Sequence, residues 1–263
     1  KTQLNQGFTI EPASSDASFR RYFRIISNNK AYILMDAPPD LERIDHFINI
    51  TNKLMSAGIN SPKIISFDTK LGLILMTDFG SQTFLDVLDK NNAYELYPKA
   101  IHSLLKIQTK VNTKGLHNYS EKLLISEMSL FTEWYIKKLK NFKLEDQDAL
   151  SKIFLLISKK ATTQDKCFVH RDYHSRNLMF IPEGTPGILD YQDAVLGPLT
   201  YDLVSLLKDA YIEWDEDFVL DQSVRYWEKA KKVGLLKNEE FSSFYEDFEW
   251  MGVQRHLKIL GIF

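Results

Sequence analysis

His170-Arg171-Asp172-Tyr173-His174-Ser175-Arg176-Asn177, followed a short way on by Gly187-Ile188-Leu189-Asp190-Tyr191-Gln192, is the stretch on which the reading of this chain turns. The first segment has the pattern H-R-D-x-x-x-x-N. Leu178-Met179-Phe180-Ile181 and Gly187-Ile188-Leu189 are short apolar runs, and Pro182-Glu183-Gly184-Thr185-Pro186 between them is rich in turn residues. That alternation predicts a β-hairpin. Its midpoint falls between Glu183 and Gly184, which makes Asn177 and Asp190 equidistant from the turn and sets them side by side at the open end. Two oxygen ligands converging there suit a hard cation such as Mg²⁺. Asp172 enters the first strand close to the same point. Phosphoryl transfer then has its minimum: a carboxylate to receive the hydroxyl proton, and an amide and a second carboxylate to hold magnesium on the phosphates. The bland alternative, an ordinary hairpin with polar ends, needs both the motif and the spaced Asp to arise by chance.

Two nearby patterns are decoys. Asp78-Phe79-Gly80 spells the protein-kinase D-F-G motif, but it precedes the catalytic segment, whereas the metal-binding Asp of that motif follows it. Asp190-Tyr191-Gln192 is the working equivalent. His170 and His174, with Cys167 and Asp172 nearby, suggest zinc. A helical His pair of the metalloprotease kind needs a Glu after the first His, and here Arg171 stands in that place, while Cys167-Phe168-Val169 reads as strand.

The chain has 263 residues, 44% of them hydrophobic, enough for one large domain or two lobes. Lys and Arg number 33 against 35 Asp and Glu, a net charge of −2, which argues against a general nucleic-acid binder. Cys167 is the single cysteine, so no intrachain disulfide forms and a reducing cytoplasm is the expected compartment. No run of about 18 apolar residues predicts a membrane span, and the first residues lack the apolar segment of a signal peptide. The sequence ends on Leu260-Gly261-Ile262-Phe263, expected either to continue in the full protein or to pack into the core.

Along the chain, residues 1–80 read as β-rich and residues 81–263 as helical. Phe19 to Ile26 and Tyr32 to Met35 flank a polar turn, and Ile64 to Phe67 and Leu73 to Met76 flank Lys70-Leu71-Gly72, two predicted hairpins. Ile44 to Ala57 has helical spacing and stops at Gly58. Further helices are predicted over 94–110, 121–140, 145–161, 201–211, 217–233 and 239–260. Ser14 to Ser18 is a loop of small polar residues that can bring backbone N–H groups to phosphates. The strand Ala31 to Met35 ends in Met35 where a kinase strand carries its phosphate-binding lysine, and the following helix offers Phe47 or Asn49 in place of the partnering glutamate. Arg20, Arg21 and Arg24 are the cations placed to substitute, or else three solvated strand charges. Met76-Thr77-Asp78-Phe79-Gly80 joins the two parts, where a linker backbone would meet the adenine edge.

The segment from His170 to Asn177, with Asp190, resembles the aminoglycoside phosphotransferase and choline kinase superfamily. His174 stands where protein Ser/Thr kinases usually carry lysine and this superfamily often carries histidine, which favours a small-molecule acceptor; Arg176 before Asn177 is instead similar to tyrosine-kinase loops. A closer resemblance spans nearly the whole chain. Asp16-Ala17-Ser18-Phe19-Arg20-Arg21-Tyr22-Phe23-Arg24, Met35-Asp36-Ala37-Pro38-Pro39, Asp190-Tyr191-Gln192-Asp193-Ala194, the run from Gly197 to Tyr211, and Gln254-Arg255-His256-Leu257-Lys258 look like the bacterial N-acetylmuramate/N-acetylglucosamine anomeric kinases.

The resemblance implies an α+β, protein-kinase-like bilobal fold, ATP and Mg²⁺, and phosphorylation of the anomeric hydroxyl of an amino sugar from cell-wall recycling. It implies Asp172 as the base, Asn177 and Asp190 on magnesium, and Ser18, Arg20, Arg21, Arg24, Met76 and Asp78 around the nucleotide. Asp202 would anchor the catalytic loop, or cap the helix beginning at Leu203. His174, Arg176, Asp193, Lys208, Asp209 and Arg255 lie where acceptor contacts are expected, with a structural salt bridge as the alternative for Asp193, Lys208 and Asp209. The acidic run Asp209, Glu213, Asp215, Glu216, Asp217 instead suits a cationic acceptor, an aminoglycoside or choline. A catalytically silent binding scaffold is the alternative from another class.

Overall fold

The computed structural model describes residues 7–14, 19–237 and 240–263. Its first part comprises strands β1 (Thr9–Ser14), β2 (Arg21–Ser27) and β3 (Lys30–Asp36), helix α1 (Ile44–Ser56), and strands β4 (Ile64–Asp68) and β5 (Leu73–Thr77). The strands form one antiparallel sheet in the order β1-β2-β3-β5-β4. Asn28 and Asn29 join β2 to β3 with φ of 50° and 59°, the two-residue turn whose twist matches the strands it connects. The strand β1 is an addition to the expected pair of hairpins. Its sequence, Thr-Ile-Glu-Pro-Ala-Ser, does not alternate and contains Pro12, which an edge strand tolerates. In α1, Ile44, Phe47, Ile50 and Leu54 are buried at helical spacing.

After Gly80 the chain is mostly helical: α2 (Phe84–Val87), α3 (Ala93–Lys110), α4 (Glu121–Leu130) and α5 (Gln147–Thr163). Short strands β6 (Lys166–Val169), β7 (Leu178–Met179), β8 (Gly187–Ile188) and β9 (Val195–Pro198) follow, and then α6 (Tyr201–Leu207), α7 (Glu216–Lys232) and α8 (Phe241–Ile262). β6 pairs with β9 and β7 with β8, both antiparallel. One apolar interior runs from Met35 and Ile74 in the sheet, through Ile101 and Leu104 of α3, to Phe248 and Met251 of α8. No helix among the described residues is long and apolar enough to cross a membrane.

Two helical expectations are corrected. The single helix over 121–140 changes at Phe131 into a wider π-helix, Phe131–Leu139. The change falls where Gly261 of α8 lies against Leu130 and Phe131, so closely that a Cβ at 261 would sit 2.3 Å from the Leu130 carbonyl carbon. The helix expected over 201–211 stops at Leu207, because Asp209 leaves the helical path to accept from the backbone N–H groups of Ser175 and Tyr211.

Gly72, in the turn from β4 to β5, has a φ of 68°, and its carbonyl accepts from Ala37 N at 2.9 Å. A Cβ there would stand 1.9 Å from the Ala37 carbonyl oxygen. Gly72→Ala is therefore expected to destabilise the protein by about 2 kcal/mol or more, from left-handed strain plus overpacking. Chemical denaturation of the two proteins measures it.

Candidate active site

Strand β6 delivers His170 to a turn whose backbone is held at several points. Arg171 has a φ of 80°, strained for a residue with a side chain. Both oxygens of the fully buried Asp202 accept backbone N–H groups, from His170 at 2.6 Å and Arg171 at 3.0 Å. Asp202 lies in the first turn of α6, whose N-cap is Thr200, so it does not cap that helix. Burial pushes its carboxyl up to about 6, against the downward pull of His170, the two N–H donors and Arg255. His170 is neutral: burial lowers its pKa, Nε2 meets the Leu189 carbonyl at 2.9 Å, and Nδ1 accepts from Asp172 N at 3.3 Å.

A buried charge cluster lies beneath this turn. Arg255 of α8 donates to the Arg171 carbonyl at 2.9 Å and to the Tyr201 hydroxyl at 3.2 Å. Glu127 of α4 accepts from the Arg171 guanidinium at 2.6 Å, from Gln254 at 3.3 Å and from the Tyr119 hydroxyl, and pairs with Lys258 at 3.4 Å. Burial pushes the Asp172 carboxyl up, but Lys258, Arg255, His174 and His170 outweigh it and hold the pKa below the usual aspartate value. Sequence reasoning passed over Glu127. The available signal was a glutamate three residues after Leu124 and one before Met128, on the face both bury.

The hairpin forms with its register one residue away from the expectation. Leu178 faces Ile188, and Leu189 N donates to Asn177 O at 2.9 Å, so Asn177 lies opposite Leu189 rather than Asp190. Ordinary strand alternation would turn Asp190 to the other face. Its φ of 59° breaks the alternation, and Asn177 Nδ2 comes 3.3 Å from Asp190 Oδ2. Asn177 Nδ2 also donates to the Asp172 carbonyl at 3.0 Å, which leaves Oδ1 as the atom able to ligate. Gln192 donates to the other Asp190 oxygen at 2.7 Å. An amide oxygen and a carboxylate fit a hard divalent ion. No group of three His, Cys, Asp or Glu among the described residues could hold a metal, so the phosphates of a nucleotide would have to complete the shell.

Asp172, Asn177 and Asp190 line one cavity of about 480 Å³. Tyr22, Ile33 and Met76 form its wall on the sheet side, Met179 and Leu189 its floor, and Asp78, Phe79 and Gly80 its edge. Arg24 also lines it, but its guanidinium grips Asp78 at 2.5 Å and the Gly80 carbonyl at 2.7 Å, bracing the linker. Arg20 and Arg21 are not brought to the cavity. Arg20 pairs with Glu42 at 3.1 Å, and the exposed Arg21 pairs with Asp36. Ser18 lies outside the described residues. Tyr191 is fully buried; its ring stacks on Phe47 with centroids 5.2 Å apart, and its hydroxyl meets Thr51 Oγ1 at 2.9 Å. Phe47, one of the two residues read near the place of the missing glutamate, thus joins α1 to the segment bearing Asp190.

Of the six residues proposed for the acceptor, His174 and Arg176 line the cavity. Burial drives His174 down to about 4, so it is uncharged near neutrality. Asp209 is engaged by Ser175 N at 2.8 Å, Lys208 by Glu249 at 2.7 Å, and Arg255 is buried beneath Arg171. Asp193 is exposed and away from the cavity lining. Most of the acidic run likewise has a place in the fold. Asp215 caps α7 by accepting from Phe218 N at 2.8 Å, and Glu216 and Asp217 occupy that helix's first turn, where its dipole favours negative charge.

Glu127→Gln is expected to destabilise the protein by about 3 kcal/mol near neutral pH, since it leaves buried cations uncompensated. Burial raises the Glu127 pKa, but Lys258, Tyr119 and Arg171 carry it below its ordinary 4.5. Its stabilisation is therefore present above about pH 4.5 and lost as pH falls through the lower folded value. Denaturation of both proteins across this range should find the gap between them narrowing in acid.

Comparison with known proteins agrees with this architecture. Two relatives are both named N-acetylmuramate/N-acetylglucosamine kinase. The Pseudomonas aeruginosa protein is 43% identical over 96% of this chain and 75% of its own length. The Neisseria meningitidis serogroup B protein is 40% identical over 97% of this chain and 78% of its own. Among solved structures, Plasmodium vivax ethanolamine kinase superposes with a TM-score of 0.65 at 12% identity, covering 96% of this chain and 74% of that one. The fold is the protein-kinase-like α+β fold of such enzymes. Residues 9–233 match the phosphotransferase enzyme family, and the chain belongs to it.

Proposed function

We propose that this protein transfers the γ-phosphoryl group of ATP to the anomeric hydroxyl of an amino sugar, N-acetylmuramate or N-acetylglucosamine, in cell-wall recycling. The observation that carries the reading is the convergence of Asp172, Asn177 and Asp190 on one cavity, in a chain that shares 40–43% identity with kinases named for those sugars. ATP enters between the sheet and the helical part. Its base lies against Ile33 and Met76, beside the linker that Arg24 holds. Residues 1–80 act as the nucleotide-gripping lobe and 81–263 as the catalytic and acceptor lobe.

Asp172, ionised, orients the acceptor hydroxyl and takes its proton as transfer proceeds. An anomeric hydroxyl is more acidic than an ordinary alcohol, so a weak carboxylate base suffices. Asn177 Oδ1 and the Asp190 carboxylate would hold Mg²⁺, which would supply charge neutralisation on the transferring phosphates. Asp202 positions the loop through its two backbone hydrogen bonds. The intact triad argues against a silent scaffold, and the structural use of Asp209, Asp215, Glu216 and Asp217 argues against a cationic acceptor. The buried free thiol of Cys167 suits a reducing cytoplasm.

Coupled measurement of ADP release with N-acetylglucosamine, N-acetylmuramate, kanamycin and choline tests the reading. Turnover of either sugar supports it, and turnover confined to the cations would replace it. Asp172→Asn should lower kcat by about 10²–10⁴-fold while ATP affinity stays near the wild-type value; full activity would remove the base assignment. Asp190→Ala should weaken Mg-ATP binding by about tenfold or more, as read by calorimetry.

A further inference from the structure

We propose that Arg176, stacked on Tyr211, is the specificity-determining cation of the acceptor end of the cavity and binds a carboxylate carried by the sugar. The inference rests on the sugar-kinase reading above.

Elimination carries the first part. Among the described residues lining the cavity, the permanent cations are Arg24 and Arg176. Arg24 is spent on Asp78 and the Gly80 carbonyl. Lys208 pairs with Glu249, and Arg255 and Lys258 are buried under the catalytic turn. Residues 15–18, Ser-Asp-Ala-Ser, carry no cation. Arg176 is exposed and has no ion-pair partner among the described residues. Asp86, the carboxylate within electrostatic reach, is already bound by the backbone N–H and hydroxyl of Thr83.

Placement carries the second. Arg176 lies on the turn between Asp172 and Asn177, and its guanidinium carbon is 4.8 Å from the Tyr211 ring centroid. The same ring meets His174 edge-on at 5.4 Å. Tyr211, His174 and Arg176 thus form one contacting group from the helical part, lining the same cavity as Asp172, while Ile33 and Met76 line it from the sheet. Stacking on the tyrosine fixes the plane of the guanidinium and leaves its N–H edge for a planar anion.

The chemistry of the two sugars matches this arrangement. They share a skeleton, but N-acetylmuramate adds a lactyl ether ending in a carboxylate. A neutral sugar leaves the exposed Arg176 hydrated at little cost, whereas the acid gains a charge-assisted, bidentate contact. Arg176 therefore sets the ratio of the two activities.

The test is kcat/KM for both sugars with the wild-type protein, Arg176→Gln and Arg176→Lys, with thermal melts to verify folding. The ratio of N-acetylmuramate to N-acetylglucosamine activity should fall roughly 10- to 100-fold in Arg176→Gln, chiefly through a higher KM for the acid, and recover in part in Arg176→Lys. A ratio within about twofold of wild type would overturn the proposal. That includes an equal loss with both sugars through a higher KM for ATP, which would give Arg176 to the phosphates. A wild-type protein that phosphorylates the neutral sugar alone would overturn the proposal and leave the sugar-kinase reading standing. A wild-type protein that phosphorylates neither would end both.

Discussion

The left-handed backbone of Arg171 is the constraint on which the rest of the site depends. Such a conformation costs about 1–2 kcal/mol for a residue with a side chain and persists only where its surroundings over-determine it. Here its N–H is taken by Asp202, its carbonyl by Arg255 and its guanidinium by Glu127. Those partners come from α6, α8 and α4, so the helical part is clamped to a single peptide unit. Arg255 and Lys258 also draw the Asp172 carboxyl downward. The groups that shape the loop therefore also set the charge of the carboxylate it presents. Apolar replacements of the same volume would pack at no smaller gain, but they would leave the turn's polar groups without partners.

Asp190 is the second strained position of the site. The other non-glycine residues with positive φ among those described are Asn28, Asn29 and Asn141, and asparagine tolerates that region. Left-handed backbone therefore falls on the turn bearing Asp172 and on Asp190, whose carboxylate meets the Asn177 side chain, and otherwise where it is cheap. Gly187 lets the hairpin lie against the linker: a Cβ there would stand 2.6 Å from the Phe79 ring. Strand, linker and carboxylate are thereby located relative to one another by close packing rather than by long side chains.

The three residues that meet at the cavity were legible because phosphoryl transfer, as proposed, admits few residue types at few spacings. Asp172 and Asn177 come from the H-R-D-x-x-x-x-N pattern, and Asp190 from its place after a short apolar strand. Register was not legible: β7 and β8 are two residues each, and the slip of one is offset by a positive φ at Asp190 that no hydrophobic pattern encodes. The edge strand β1 hid behind Pro12, and the π-helix from Phe131 depends on a contact with Gly261 far along the chain. Charges were countable but their partners were not. Arg21 and Asp36 meet across β2 and β3, and Arg20 reaches Glu42. Arg255 turned out to be a buried support, and Asp215 a helix cap rather than part of an acidic binding face.

The contact of Tyr191 with Thr51 and Phe47 replaces an ion pair with an uncharged clasp. Thr51 donates to the Phe47 carbonyl at 2.8 Å, so the Tyr191 hydroxyl is the donor to Thr51, and burial keeps that phenol protonated. A lysine–glutamate pair bridging the same parts would weaken as salt rises. A phenol, a hydroxyl and two stacked rings carry no net charge to screen. This clasp between sheet and helices is thus indifferent to ionic strength, unlike the Arg24–Asp78 pair that braces the linker.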